Sequence, residues 1–485
     1  MTNDDRREEP VAAVFDAVVR GMYSLFAVGF RQATELATMR VPLAQQTLYR
    51  LLSEIWVNTL DPHNTLVGNP EARRKAIETN GQSVLQGLQN FLDDLKNNRG
   101  NPALTDLSKF RVGENLAVTP GTVVFRNELL ELIHYESVTE TVRSVPLLIV
   151  PPPINKYYIL DLAPGRSLVE KAVAEGQDVY MISWVNPKPH QRNLAFVDDY
   201  VVNGVLAAMD FISPDDEVAL AGLCLGGTLA SIAAAYDGAS GDYRVASLSL
   251  IVTLTDFGLD TGKMGAMIDQ QLVDRVYAQT RRKGVLSEWE MGLGWQLLAL
   301  PGLYFGPAQK RWLQGEPAPA MDLLAWNADG TRLAAEMHRE YLQTCYIDNK
   351  FAEGKLVVKG IRVGIGDIAV PVYAVAGTTD HIVPWRSSFA GISQSSGTRR
   401  LVLVPRGHIG AIVSVGSRAN YFVGPDTYEE NWQTAADEHA GSWWSDWTSW
   451  LATHSGSLVA PVVDKSDLGP APGHYVLDTD PLLWR

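Results

Sequence analysis

Apolar residues recur at helical spacing through residues 42–107, in LAQQTLYRLLSEIW and again in QSVLQGLQNFLDDL, with the turn-rich DPHNTLVGNP between them. This predicts amphipathic helices. The pattern changes at 118–135, where VTPGTVVFRNELLELIHY combines a Pro-Gly turn with β-branched and aromatic residues and predicts strands entering a sheet. Short unbroken apolar runs follow at 145–150 (VPLLIV), 178–184 (DVYMISW), 217–221 (EVALA) and 246–253 (ASLSLIVT), separated by helical stretches. Parallel strands buried on both faces have this form. From 257 to 364 the alternation gives way to amphipathic helical segments and turn signals. Strand patterns resume at 372–376 (VYAVA) and 401–404 (LVLV), and a Trp-rich helical segment, SWWSDWTSWL, occupies 442–451. The interrupted strand series predicts one α/β domain, 111–485, with a largely helical cap inserted at about 257–364, preceded by a helical N-terminal region, 1–110. The last thirty or so residues, with KSDLGPAPGHY, read as an extended tail.

Residues 11–30 (VAAVFDAVVRGMYSLFAVGF) match a bilayer span in length, but Asp16 and Arg20 would each cost about 2.5–3.5 kcal/mol at a membrane centre. A helix packed on protein, or lying on an apolar surface, is expected rather than a transmembrane span. The first nine residues carry mixed, largely acidic charges where a secretory signal would place basic ones, so a cytoplasmic protein is expected.

Composition narrows the classes further. With 46% apolar and 20% charged residues the chain is too hydrophobic to be disordered. Its only cysteines, Cys224 and Cys345, form no CxxC, which excludes a disulfide framework and argues against a Cys-based zinc site. A net charge of -14 opposes general attraction to nucleic acid.

The sharpest motif is Gly222-Leu223-Cys224-Leu225-Gly226, directly after EVALA and before the small-residue helix GTLASIAAAY. It is a nucleophile elbow with Cys in place of Ser. Small neighbours let the nucleophile project from a strained turn. The helix N-terminus favours a thiolate at Cys224 and offers the Leu225 amide to a developing oxyanion. On this α/β-hydrolase pattern an acid should follow a later strand and a histidine the last one. Asp380, beyond VYAVAG in TTDHIVPW, and His408, beyond LVLVP in RGHIGA, stand in those places. His381 adjoins the candidate acid on the same loop and is expected to shape that loop. A second oxyanion donor should come from the loop after VPLLIV, Pro151-Pro152-Pro153-Ile154-Asn155-Lys156; prolines cannot donate, leaving Ile154 or Asn155, with Ile154 first in line. The remaining histidines are dispersed and none falls in HExxH, so no metal or cofactor is expected.

At these residues the chain resembles the polyhydroxyalkanoate synthases, particularly the single-subunit class I type. NLAVTPGTVVFRNEL, PPPINKYYILDLAPGRSLVEKAVAEGQDVYMISWVNP, LAGLCLGGTLAS, TDFGLDTG, MDLLAWN, GTTDHIVPW and GSWWSDWTSWL occur in family order, from about residue 41 to the C-terminus. The resemblance implies that Cys224 carries the acyl chain, His408 is the general base and Asp380 the third catalytic residue. It further implies (R)-3-hydroxyacyl-CoA substrates, a growing polyester chain, a homodimer and association with the polyester granule surface. The family usually has Trp or Cys where Pro153 stands, and Asn-Pro-Pro soon after the catalytic His, where this chain reads IVSVGSRAN. Two alternatives remain open from the residues: a thioesterase or intracellular polyester depolymerase using the same Cys-His-Asp triad, and a catalytically weak granule-associated protein.

Overall fold

The computed structural model describes residues 5–41, 43–298, 301–416, 418–463 and 466–479. It divides into two compact units. Among the described residues, one comprises those within 1–109 and 292–328, the other those within 110–291 and 329–480. Part of the interval read as the cap thus groups with the N-terminal helices.

The first unit is helical: α1 (Asp5–Thr38), α2 (Leu43–Thr59), α3 (Pro70–Glu78) and α4 (Gln82–Asn97). The α3 start is encoded locally, with the Asn69 side chain accepting from the Ala72 amide at 3.0 Å and Pro70 at the first helical position. Helix α1 packs on α2, where the Tyr23 hydroxyl donates to Val57 O at 2.8 Å, and Asp16 pairs with Arg73 at 2.6 Å. One charge that argued against a bilayer span is therefore held by a neighbouring helix. Among the described residues no helix is long and apolar enough to cross a membrane.

Helix α4 reverses the usual orientation. Its buried positions are Ser83, Gly87, Asn90 and Asp94, whereas Leu85, Leu88, Leu92 and Leu95 face outward. The polar face is matched by the segment around residues 311–316. Arg311 Nε and Trp312 Nε1 each donate to Asp94 at 2.7 Å, and Asn90 Nδ2 donates to Arg311 O and Glu316 O at 2.9 and 3.1 Å.

The second unit is built on a ten-stranded sheet. Its strands are β1 (Gly121–Arg126), β2 (Leu130–Tyr135), β3 (Leu147–Val150), β4 (Val179–Trp184), β5 (Val218–Leu223), β6 (Val245–Ile251), β7 (Val372–Gly377), β8 (Arg399–Val404), β9 (Asn420–Val423) and β10 (Asp437–Ala440). The spatial order is β1-β2-β4-β3-β5-β6-β7-β8-β9-β10. The six strands β3 to β8 run parallel, and both margins are antiparallel. Strands β3 and β5 are buried at every position, as their unbroken apolar runs require. This is the α/β-hydrolase architecture.

Three helices bear on the site: α5 (Leu225–Ser240) after β5, α6 (Ala335–Tyr341) between β6 and β7, and the Trp-rich α7 (Trp443–Ala452). The segment read as an extended tail is pinned where it is described. The Val123 amide donates to Gly469 O, the Ala471 amide donates to Gly121 O, and buried Glu131 accepts from the His474 and Tyr475 amides at 2.8 Å. It therefore covers the β1 edge of the sheet, which would otherwise present unpaired backbone groups.

Candidate active site

The parallel strands set the geometry, because their carboxyl ends lie along one edge of the sheet and the candidate residues follow three of them. Cys224 occupies the turn between β5 and α5 with φ 52° and ψ −121°, a conformation a side chain adopts only when its surroundings enforce it. Its amide donates to Ile251 O on β6 at 2.8 Å, and its carbonyl accepts from the Gly227 and Thr228 amides at 2.9 and 3.2 Å. With its backbone engaged on both sides, Cys224 presents its thiol, and the residue is partly accessible between buried neighbours. Close approach explains the flanking glycines: a Cβ on Gly222 would run into the Gly227 backbone, and one on Gly226 into Val150 O and the Pro151 backbone.

Asp380 follows β7 and His408 follows β8. The Asp380 carboxylate accepts from the Ile382 and Val383 amides through Oδ1, at 2.8 and 2.9 Å, and meets His408 Nδ1 through Oδ2 at 2.6 Å. With Nδ1 so engaged, the imidazole is also under the influence of the Cys224 side chain. Burial by itself pushes the His408 imidazole down. The charge of Cys224 and the hydrogen bonds to Asp380 and Cys224 outweigh it, raising His408 from its usual value to about 10. The acid and imidazole are thus joined directly, and the thiol acts on the imidazole. His381 projects outward, and its carbonyl accepts from the Lys263 amide at 3.2 Å.

Two amides are candidates to receive an oxyanion. Among the described residues the Leu225 amide, at the first position of α5, donates to no protein acceptor. In the loop after β3 the Asn155 amide closes a turn onto Pro152 O at 3.5 Å, while Ile154 N–H takes no protein acceptor among the described residues. Of the two donors that the sequence left open, only the Asn155 amide has a protein acceptor among the described residues. The loop is held by Trp184 Nε1 on Pro151 O at 2.7 Å, Thr331 Oγ1 on Pro153 O at 3.1 Å, and buried Lys156, whose Nζ donates to Val476 O and Asp478 O at 2.8 and 2.5 Å. Cys345 is buried, and burial drives its thiol far above the usual range, as befits a packing residue.

Sequence patterns did not reveal what holds His408. It opens the short helix His408–Ile412, whose terminal carbonyls at Ala411 and Ile412 accept from Trp443 and Trp444 Nε1 at 2.8 and 3.0 Å. The cluster of tryptophans in SWWSDWTSWL was a visible signal, but their partners lie 32 residues away. Nor did they single out the aromatic wall of Phe257, Tyr341 and Tyr346, in mutual ring contact at 4.9–6.3 Å. No group of His, Cys, Asp or Glu among the described residues is arranged to hold a metal ion.

Fold and elbow together define an enzyme of the α/β-hydrolase class with cysteine at the nucleophile position. Comparison with known proteins resolves the family. A sequence family described as "Poly-beta-hydroxybutyrate polymerase (PhaC) N-terminus" matches residues 11–172, and one described as "alpha/beta hydrolase fold" matches 165–415. The chain is 36% identical over 481 residues to a poly(3-hydroxyalkanoate) polymerase of Methylorubrum extorquens, covering 96% of this chain and 78% of that one. It is 36% identical over 474 residues to a poly(3-hydroxyalkanoate) polymerase subunit of Cupriavidus necator, covering 93% and 80%. With poly(3-hydroxyalkanoate) polymerase 2 of Ectopseudomonas oleovorans the identity is 35% over 442 residues, covering 89% and 78%. The chain belongs to the poly(3-hydroxyalkanoate) polymerase family, enzymes of the acyltransferase type.

Proposed function

We propose that this chain polymerises (R)-3-hydroxyacyl-CoA into polyester with release of CoA, and that Cys224 carries the acyl chain. The observation behind the proposal is the Asp380–His408 hydrogen bond together with Cys224 in its strained elbow turn, in a chain of the polymerase family. With its proton already held by His408, Cys224 Sγ attacks the thioester carbonyl. The carbon–sulfur bond to CoA then breaks and the departing sulfur takes that proton. One thioester replaces another, so the acyl group stays activated. In the next step His408 takes the proton of an incoming hydroxyl, whose oxygen attacks the Cys224-bound carbonyl. An oxoester forms as the bond to Cys224 Sγ breaks, and His408 again holds the proton beside Cys224. The Leu225 and Ile154 amides serve the oxyanion of each tetrahedral intermediate. Asp380, held at both oxygens, is best suited to orient His408 and favour its charged form.

The exposed apolar residues of α1 and α4, among them Met22, Leu25, Leu88 and Leu92, support association with an apolar polyester granule surface in the cytoplasm. The proposal includes a homodimer as the assembled form, which sedimentation of the purified protein tests. Purified protein incubated with (R)-3-hydroxybutyryl-CoA should release CoA and deposit insoluble polyester. Free 3-hydroxybutyrate without polymer would overturn the proposal in favour of a thioesterase.

A further inference from the structure

After β6 the chain wraps the elbow helix: Thr228 Oγ1 donates to Leu254 O at 2.9 Å and Thr253 Oγ1 to Cys224 O at 3.3 Å. The same loop ends at Phe257, whose amide donates to Asn349 Oδ1 at 3.0 Å, while Asn349 Nδ2 donates to Asp256 Oδ1 at 2.8 Å. These bonds dock the segment following α6 beside the elbow. There the helix widens into π geometry over Leu342–Ile347. In an α-helix, residues five apart point about 140° from each other. The wider turn instead brings the Tyr341 and Tyr346 rings to 5.6 Å, and the Tyr341 hydroxyl donates to the Tyr346 hydroxyl at 3.5 Å. Such π segments recur at functional sites. A phenol both donates and accepts. Tyr346 accepts from Tyr341, and among the described residues its own hydrogen has no acceptor.

We propose that the Tyr346 hydroxyl, oriented by Tyr341, donates a hydrogen bond to the 3-hydroxyl oxygen of the acyl group on Cys224 and selects 3-hydroxyacyl over unsubstituted acyl thioesters. This rests on the acyl-carrying role of Cys224 proposed above. Burial first, and the charge of Cys224 in addition, raise both phenols far above their usual range, so both remain donors at neutral pH. A partly buried donor left without its partner disfavours the substrate that lacks the matching group.

Single-turnover release of CoA from (R)-3-hydroxybutyryl-CoA and from butyryl-CoA tests the assignment, with circular dichroism melts confirming that the variants fold. In Tyr346→Phe, kcat/KM for the hydroxyacyl thioester should fall about tenfold to a hundredfold, while butyryl transfer changes less than about threefold. Tyr341→Phe should shift the preference in the same direction by less. Equal losses on both substrates, or an unchanged preference in Tyr346→Phe, would overturn the selectivity role while leaving polymerisation by wild type standing. A wild type that neither substrate acylates would overturn both proposals.

Discussion

Helices α5 and α4 are each sixteen residues long, yet they meet their surroundings in opposite ways. Helix α5 is apolar and small-sided and is buried continuously from Leu225 to Asp237. Helix α4 turns Ser83, Asn90 and Asp94 inward and leaves Leu85, Leu88, Leu92 and Leu95 from 50% to 64% exposed. In α5 hydrophobicity and burial coincide because the sheet needs a close-packed cover and the elbow needs a helix N-terminus at one point. In α4 the polar groups hold the fold and the apolar ones await other company. Apolar periodicity shows that a face is to be covered, without naming the cover.

The largest expected effect sharpens the elbow side of the comparison. NMR titration should find His408 keeping its proton to about pH 10. In Cys224→Ala, which removes both the charge and the hydrogen bond of the thiol, the midpoint should fall well below that; an unchanged midpoint would separate His408 from Cys224. A value above the ordinary 6.5 means that proton binding favours the folded state. Its contribution is whole below about pH 6.5 and is lost as pH climbs towards 10. Wild type should therefore lose more Tm than Cys224→Ala over that interval. Next, Gly226→Ala forces a Cβ against the backbone of the β3 exit and should cost about 2–3 kcal/mol in chemical denaturation. On the other helix, Asp94→Ala strands the Arg311 and Trp312 donors and should cost about 1–3 kcal/mol, read as lost hydrogen-exchange protection across residues 82–97. Leu88→Gln and Leu92→Gln should each stay within about 0.5 kcal/mol of wild type while weakening adsorption to polyester particles. Leucine variants that destabilise more than Asp94→Ala would break the comparison.

Much of the second unit is legible in the sequence because its signals are local or topological. The strand–turn–helix at Cys224 depends on adjacent residues. Once the parallel strand series is identified, strand ends locate Asp380 and His408. Trp443 and Trp444, Phe257, Tyr341 and Tyr346 acquire their significance through contacts distant in sequence, and the π turn that aligns the two tyrosines leaves no periodic trace. The segment 466–479 reads as a tail because its attachments to β1 and β2 are made largely by backbone groups of any residue type.

The covalent role of Cys224 is tested most directly by intact-protein mass spectrometry after brief exposure to (R)-3-hydroxybutyryl-CoA. A 3-hydroxybutyryl adduct should appear on wild type and on Cys345→Ala, map to the peptide containing Cys224, and be absent from Cys224→Ala. An adduct that persists in Cys224→Ala, or that maps to Cys345, would contradict the account.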